Sequence, residues 1–153
     1  MFGLREALYL ALRIETNSYY YYSTLEKSIN SSELSTTLRF LTSQELKHKK
    51  SLEEMLKRVE KLKIGESFSE EYELYLKALA SKHIFTNREK TERFFSNVSS
   101  KEDIFLQALG FEQDAILFFT KMKKFLPQER KILGELIEEE KEHLKRIASL
   151  LSL

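Results

Sequence analysis

Two of the three histidines in this 153-residue chain, His48 and His143, follow a glutamate by three positions, Glu45 and Glu140. Positions i and i+3 are neighbours on a helix face, so each pair would present a carboxylate and an imidazole side by side. Both pairs interrupt otherwise apolar stripes. The first runs Leu34, Leu38, Leu41, Glu45, His48, Leu52, Met55, Val59, and the second runs Leu133, Leu136, Glu140, His143, Ile147, Leu150. Residues spaced in this way face a core, where an ionised carboxylate is costly unless it is paired or bound to a cation. Glu15, among Ala11, Leu12, Tyr19 and Tyr22, and Glu112, among Ala108, Leu109, Ala115, Ile116 and Phe119, are placed alike on two further stripes. Four glutamates brought together would repel one another and force protonation, whereas two divalent cations would neutralise them. A glutamate lying between the two ions could bridge both. The expected cofactor is therefore two metal ions per chain, held by oxygen and imidazole nitrogen: iron, manganese or zinc.

Composition removes most competing chemistries. With no cysteine there is no disulfide, thiolate-held zinc, iron–sulfur cluster or thiol nucleophile. With His48 and His143 assigned to metal, no convincing Ser/His/Asp arrangement is found, and neither common Gly-rich phosphate loop is present. A formal net charge of +1 gives no reason to expect nucleic acid or an anionic membrane as partner. Apolar residues make up 42%, but no run approaches a membrane span. No signal peptide is read in the first residues, so a cytoplasmic location is expected.

The elements that must carry these residues are long helices, since 4 Gly and 1 Pro leave few breakers. An all-α single domain is expected over 1–153: a helix pair at 4–62, a crossover at 63–98 and a second pair at 99–152. The first helix runs to about Ile29. Asn30, Ser31 and Ser32 can cap the second, for which Gly65 is a plausible stop. Ser99 and Glu102 have capping-box spacing at the start of the third, and Pro127 can open the fourth. Short connections make each pair antiparallel. The crossover holds two further helical stretches, Ser69–Ile84 and Asn87–Phe95, and is long enough to traverse the molecule. An up-down-down-up four-helix bundle follows. An internal repeat supports it: 8–25 superimposes on 105–122 without a gap, matching Glu15 with Glu112 and Tyr22 with Phe119.

On Glu15, Glu45-Leu-Lys-His48, Glu112 and Glu140-Lys-Glu-His143, the chain resembles the rubrerythrin-type branch of the ferritin-like di-iron proteins, over everything but the crossover. The resemblance implies a ferritin-like bundle with Glu45 and Glu140 bridging the metals. Glu15 and Glu112 would be terminal carboxylates, and His48 and His143 terminal imidazoles. It also places Tyr22 where relatives have a tyrosine beside the metals, which makes Tyr22 the candidate catalytic residue. Two departures stand out. Ala115 occupies the place of a second glutamate on the third helix, leaving a six-residue set closer to bacterioferritin. The chain also carries no Cys-rich rubredoxin module, so a separate electron-donor protein would be needed.

The resemblance implies an oxidoreductase that reduces peroxide or dioxygen. The alternatives are a ferroxidase acting on Fe²⁺ and a structural di-metal bundle without turnover. A homodimer is expected, because 7 Tyr and 11 Phe exceed what one bundle need bury. Tyr20 and Tyr21 read as aromatic packing on a helix that also meets a partner subunit. His83 reads as a surface or packing histidine. Glu138, Glu139 and Glu142 are expected to point away from the core.

Overall fold

Helix α1 (Leu4–Ser28) is followed by α2 (Ser32–Leu62), α3 (Glu70–Ala80), α4 (Arg88–Asn97), α5 (Lys101–Phe125) and α6 (Arg130–Leu150). A computed structural model describes residues 3–29, 31–62, 69–81, 88–97 and 100–152. Asn30, Gly65, His83 and Ser99 lie outside the described residues. No strand occurs among the described residues, and none of their helices is long and apolar enough to cross a membrane.

Local chemistry sets the helix ends. The Gly3 amide donates to Glu6 Oε2 at 2.9 Å, and Ser31 Oγ accepts from the Leu34 amide. Ser100 caps α5 by accepting from the Asp103 amide at 3.2 Å, one residue later than the Ser99 expected. Pro127 opens a 3₁₀ turn, Pro127–Glu129, and the α-helix proper starts at Arg130. The crossover is helical at α3 and α4, within or close to the expected stretches.

The four long helices form the bundle, with α1 against α2, α5 against α6, α1 against α5 and α2 against α6. Their directions follow from two apolar clusters, one towards each end. Leu4, Ala7, Met55, Val59, Phe118, Met122 and Leu133 share one cluster. Leu25, Leu38, Phe105 and Ile147 share the other. Thus α1 and α6 run one way and α2 and α5 the other, the up-down-down-up order expected.

The core face of α1 is broader than its spacing suggests. Ala7, Ile14 and Tyr21 are fully buried, whereas Leu12 and Tyr19 sit half-buried at its edge. The cause is the crossover: α3 and α4 also pack on α1, and Phe94 and Phe95 of α4 close on the Tyr21 ring at 5.9 and 5.0 Å. Tyr21 therefore packs inside its own chain, where its hydroxyl donates to the Ile104 carbonyl at 2.7 Å.

Candidate metal centre

Between the two apolar clusters lies a polar layer made of one residue each from α1 and α5 and two each from α2 and α6. Glu15, Glu45, His48, Glu112, Glu140 and His143 are all at most 1% exposed. Helix periodicity delivers them: each occupies an apolar stripe, so packing the stripes together draws the six inward.

The six fall into two overlapping groups. In Glu15, Glu45, His48 and Glu140, one donor atom from each residue lies within 4.8 Å of all the others, and the same holds for Glu45, Glu112, Glu140 and His143. Glu45 and Glu140 belong to both. The contacts cross between motifs, with His48 Nδ1 2.6 Å from Glu140 Oε1 and His143 Nδ1 3.1 Å from Glu45 Oε1. The two imidazoles stack at 5.5 Å with a 15° interplanar angle. Tyr22, 1% exposed, donates its hydroxyl to Glu112 Oε1 at 2.6 Å.

The protein alone does not satisfy this layer. Among the described residues, none makes a hydrogen bond to Glu15 Oε1 or Oε2, Glu45 Oε2 or Glu112 Oε2, although all four are buried. Such orphaned carboxylate oxygens are expensive, and a cation is the natural partner for them.

Burial and mutual charge push the proton affinities of these groups apart. Burial and then the neighbouring charges of Glu140 and Glu15 hold Glu45 well above the carboxylate range. Burial and then Glu112 and Glu15 do the same to Glu140. For Glu15 and Glu112 burial pushes upward but is outweighed: contacts with Glu45 and His48 lower Glu15, and contacts with Glu140, His143 and Tyr22 bring Glu112 to about 2. Burial opposes charge on His48, yet the surrounding carboxylates, Glu15 foremost, raise it to about 9. His143 is raised likewise against burial, by Glu112, Glu140 and Glu45. These directions favour the acid form of Glu45 and Glu140, the ionised form of Glu15 and Glu112, and charge on both imidazoles. Oxygen and imidazole donors in two groups with two shared carboxylates fit a pair of divalent ions.

A family model described as Rubrerythrin matches residues 6–151. The chain belongs to the rubrerythrin family. No curated protein and no solved structure matched it in the corresponding comparisons. Rubrerythrin family members usually bind di-metal centres, and this rubrerythrin-family chain has the buried carboxylate and histidine groups to hold one.

One residue of the site escapes the spacing argument. Glu139, expected to face away from the core, reaches back from α6 to bring its Oε2 within 2.5 Å of His48 Nε2. Its side chain is 35% exposed, and its other oxygen lies 3.8 Å from Lys47 Nζ. It departs from the stripe because it answers to a histidine on another helix. Only the distance between α2 and α6 could reveal that.

Proposed function

We propose that this chain is a di-metal oxidoreductase, with iron the native metal, that reduces peroxide or dioxygen using electrons from a separate donor protein. The observation that carries the reading is the pair of overlapping four-residue groups sharing Glu45 and Glu140. Glu45 and Glu140 would bridge, while Glu15 with His48 and Glu112 with His143 would complete the two positions. Held there, a pair of ferrous ions would supply the two electrons that, with two protons, convert one peroxide molecule to two waters.

The chain's own residues create the conditions for this. The apolar clusters on either side keep the layer dry, which strengthens every electrostatic interaction inside it. Tyr22 holds Glu112 in place from the α1 side, and its own proton is firmly held because burial and the Glu112 charge raise the phenol well above its usual value.

The test is an anaerobic Fe²⁺ titration of the metal-free protein, followed by mixing with peroxide or dioxygen. Saturation near two irons per chain and a prompt reaction with peroxide, much faster than with dioxygen, are expected. Ala115, buried on α5 where a further glutamate would extend the set, favours a second reading, a ferroxidase acting on Fe²⁺. Dioxygen reacting as fast as peroxide or faster would support that reading. Two tightly held but redox-silent ions would leave only a structural role.

A further inference from the structure

The two histidines of the layer are treated differently on the side away from the carboxylates. His48 Nδ1 faces Glu140, Glu15 and Glu45 at 2.6, 3.7 and 3.7 Å, and its Nε2 points the other way, to Glu139 Oε2. For His143 the carboxylate contacts among the described residues, to Glu45, Glu112 and Glu140, are all at Nδ1, and its ring stands edge-on to Phe40 at 6.1 Å and 87°. The two Glu-x-x-His motifs differ in the residue that precedes them. Glu139 precedes Glu140 in α6, and the residue preceding Glu45 in α2 is Gln44, half-buried and uncharged.

We infer that Glu139 is a positioning residue that makes the two metal positions unequal, with the one at His48 the tighter. This rests on the di-metal reading above. An imidazole binds a metal through one nitrogen and is oriented by what its other nitrogen donates to; a carboxylate there fixes the tautomer and increases the basicity of the ligating nitrogen. With Nε2–H donated to Glu139, Nδ1 is the nitrogen left to the metal, and it already faces the carboxylate oxygens of its group. Lys47, largely exposed on the α2 surface beside His48, lies 3.8 Å from the other oxygen of Glu139 and adds a weak, solvent-screened attraction. The imidazole contact, on a carboxylate about two-thirds withdrawn from water, is what orients the ring. Gln44 offers no charge in the corresponding place.

The experiment is a calorimetric titration of the metal-free full chain with Co²⁺, which stays divalent and reports its ligands by visible absorption. Wild type is expected to fill two positions in successive steps. In Glu139→Ala one step should weaken about 10–100-fold while the other stays within about threefold. The weakened step should be the one abolished in His48→Ala. Glu139→Gln should fall between, because its amide oxygen still accepts the Nε2 proton but carries no charge. Melting of the metal-free variants controls for a general loss of fold. Unchanged affinities in Glu139→Ala, or equal weakening of both steps, would overturn the inference while leaving the di-metal reading intact. A wild type that takes up no Co²⁺ would remove the di-metal reading and the inference with it.

Discussion

Each Glu-x-x-His glutamate lies against the histidine of the opposite motif, so Glu45 and Glu140 are committed to both halves of the layer at once. Losing either should therefore damage both positions. Glu45→Gln keeps the size of the side chain and replaces a carboxyl whose charged form burial and neighbouring charge already disfavour. The metal-free variant is expected to melt at or above the wild-type temperature. Its uptake of divalent ions should fall by more than the roughly 10–100-fold typical of losing an outer partner. A variant that takes up two ions per chain with wild-type affinity would show that Glu45 is no ligand. Tyr22→Phe isolates a different contribution. It deletes the donor to a buried carboxylate, a bond to a charged group worth about 1.5–3 kcal/mol. Denaturant melts of metal-free protein should register that loss, and metal-loaded protein should register less of it, because a cation then holds Glu112. The six residues of the layer were legible in the sequence because a charged side chain on an apolar stripe stands out at helical spacing. Glu139 was not, since its partner belongs to another helix and only packing brings them within reach.

At the scale of elements, the helix pairs were legible for two reasons. The stripes of α1 and α5 superimpose without a gap, and the connections within each pair are too short for anything but antiparallel packing. The direction of α5 followed from a crossover long enough to span the bundle. What spacing could not show was where α3 and α4 would lie, and hence that α1 must bury Ala7, Ile14 and Tyr21 as well as its Glu15 stripe. A similar blind spot hides the contact that joins α2 to the start of α6. Arg58 donates from Nε and an outer guanidinium nitrogen to both oxygens of Glu129, at 2.7 and 2.9 Å, in the 3₁₀ turn that leads into α6. Glu129 is 5% exposed, so Arg58→Ala would strand a buried carboxylate at the helix entry. A cost of about 2 kcal/mol is expected, in the range for bonds to charged groups. Chemical denaturation measures it, and Fe²⁺ stoichiometry should stay at the wild-type value because the contact lies well along α2 from Glu45 and His48. Loss of metal uptake would mean that the α6 entry sets the register of Glu140 and His143.

For the molecule as a whole, assembly and metal loading are the properties to measure. Tyr9, Leu106 and Leu117 are each nearly half exposed, and the first two are equivalent in the internal repeat. Sedimentation velocity is expected to give a homodimer; a shell of many subunits would instead favour iron storage. Metal loading should depend on pH in a direction fixed by the protons that the layer holds without metal. His48, raised to about 9 from an ordinary 6.5, stabilises the metal-free fold below pH 6.5, and this contribution is lost as pH rises through 9. Glu45 and Glu140, also raised, act in the same direction: the unfolded chain releases their protons near pH 4.5, while the fold must keep them or bear buried charge. Glu112, lowered to about 2, works oppositely, contributing above pH 4.5 and losing that contribution as pH falls towards 2. The metal-free protein should accordingly be most stable on the acid side of neutrality and weaken steadily towards pH 9. Divalent ions compete with these same protons, so their binding tightens over that range. Scanning calorimetry with and without a chelator between pH 5.5 and about 8.5 should therefore show the gap in melting temperature widening as pH rises. A gap that stays constant would mean that the ions bind without displacing the protons of Glu45, Glu140, His48 and His143, and so bind somewhere other than this layer.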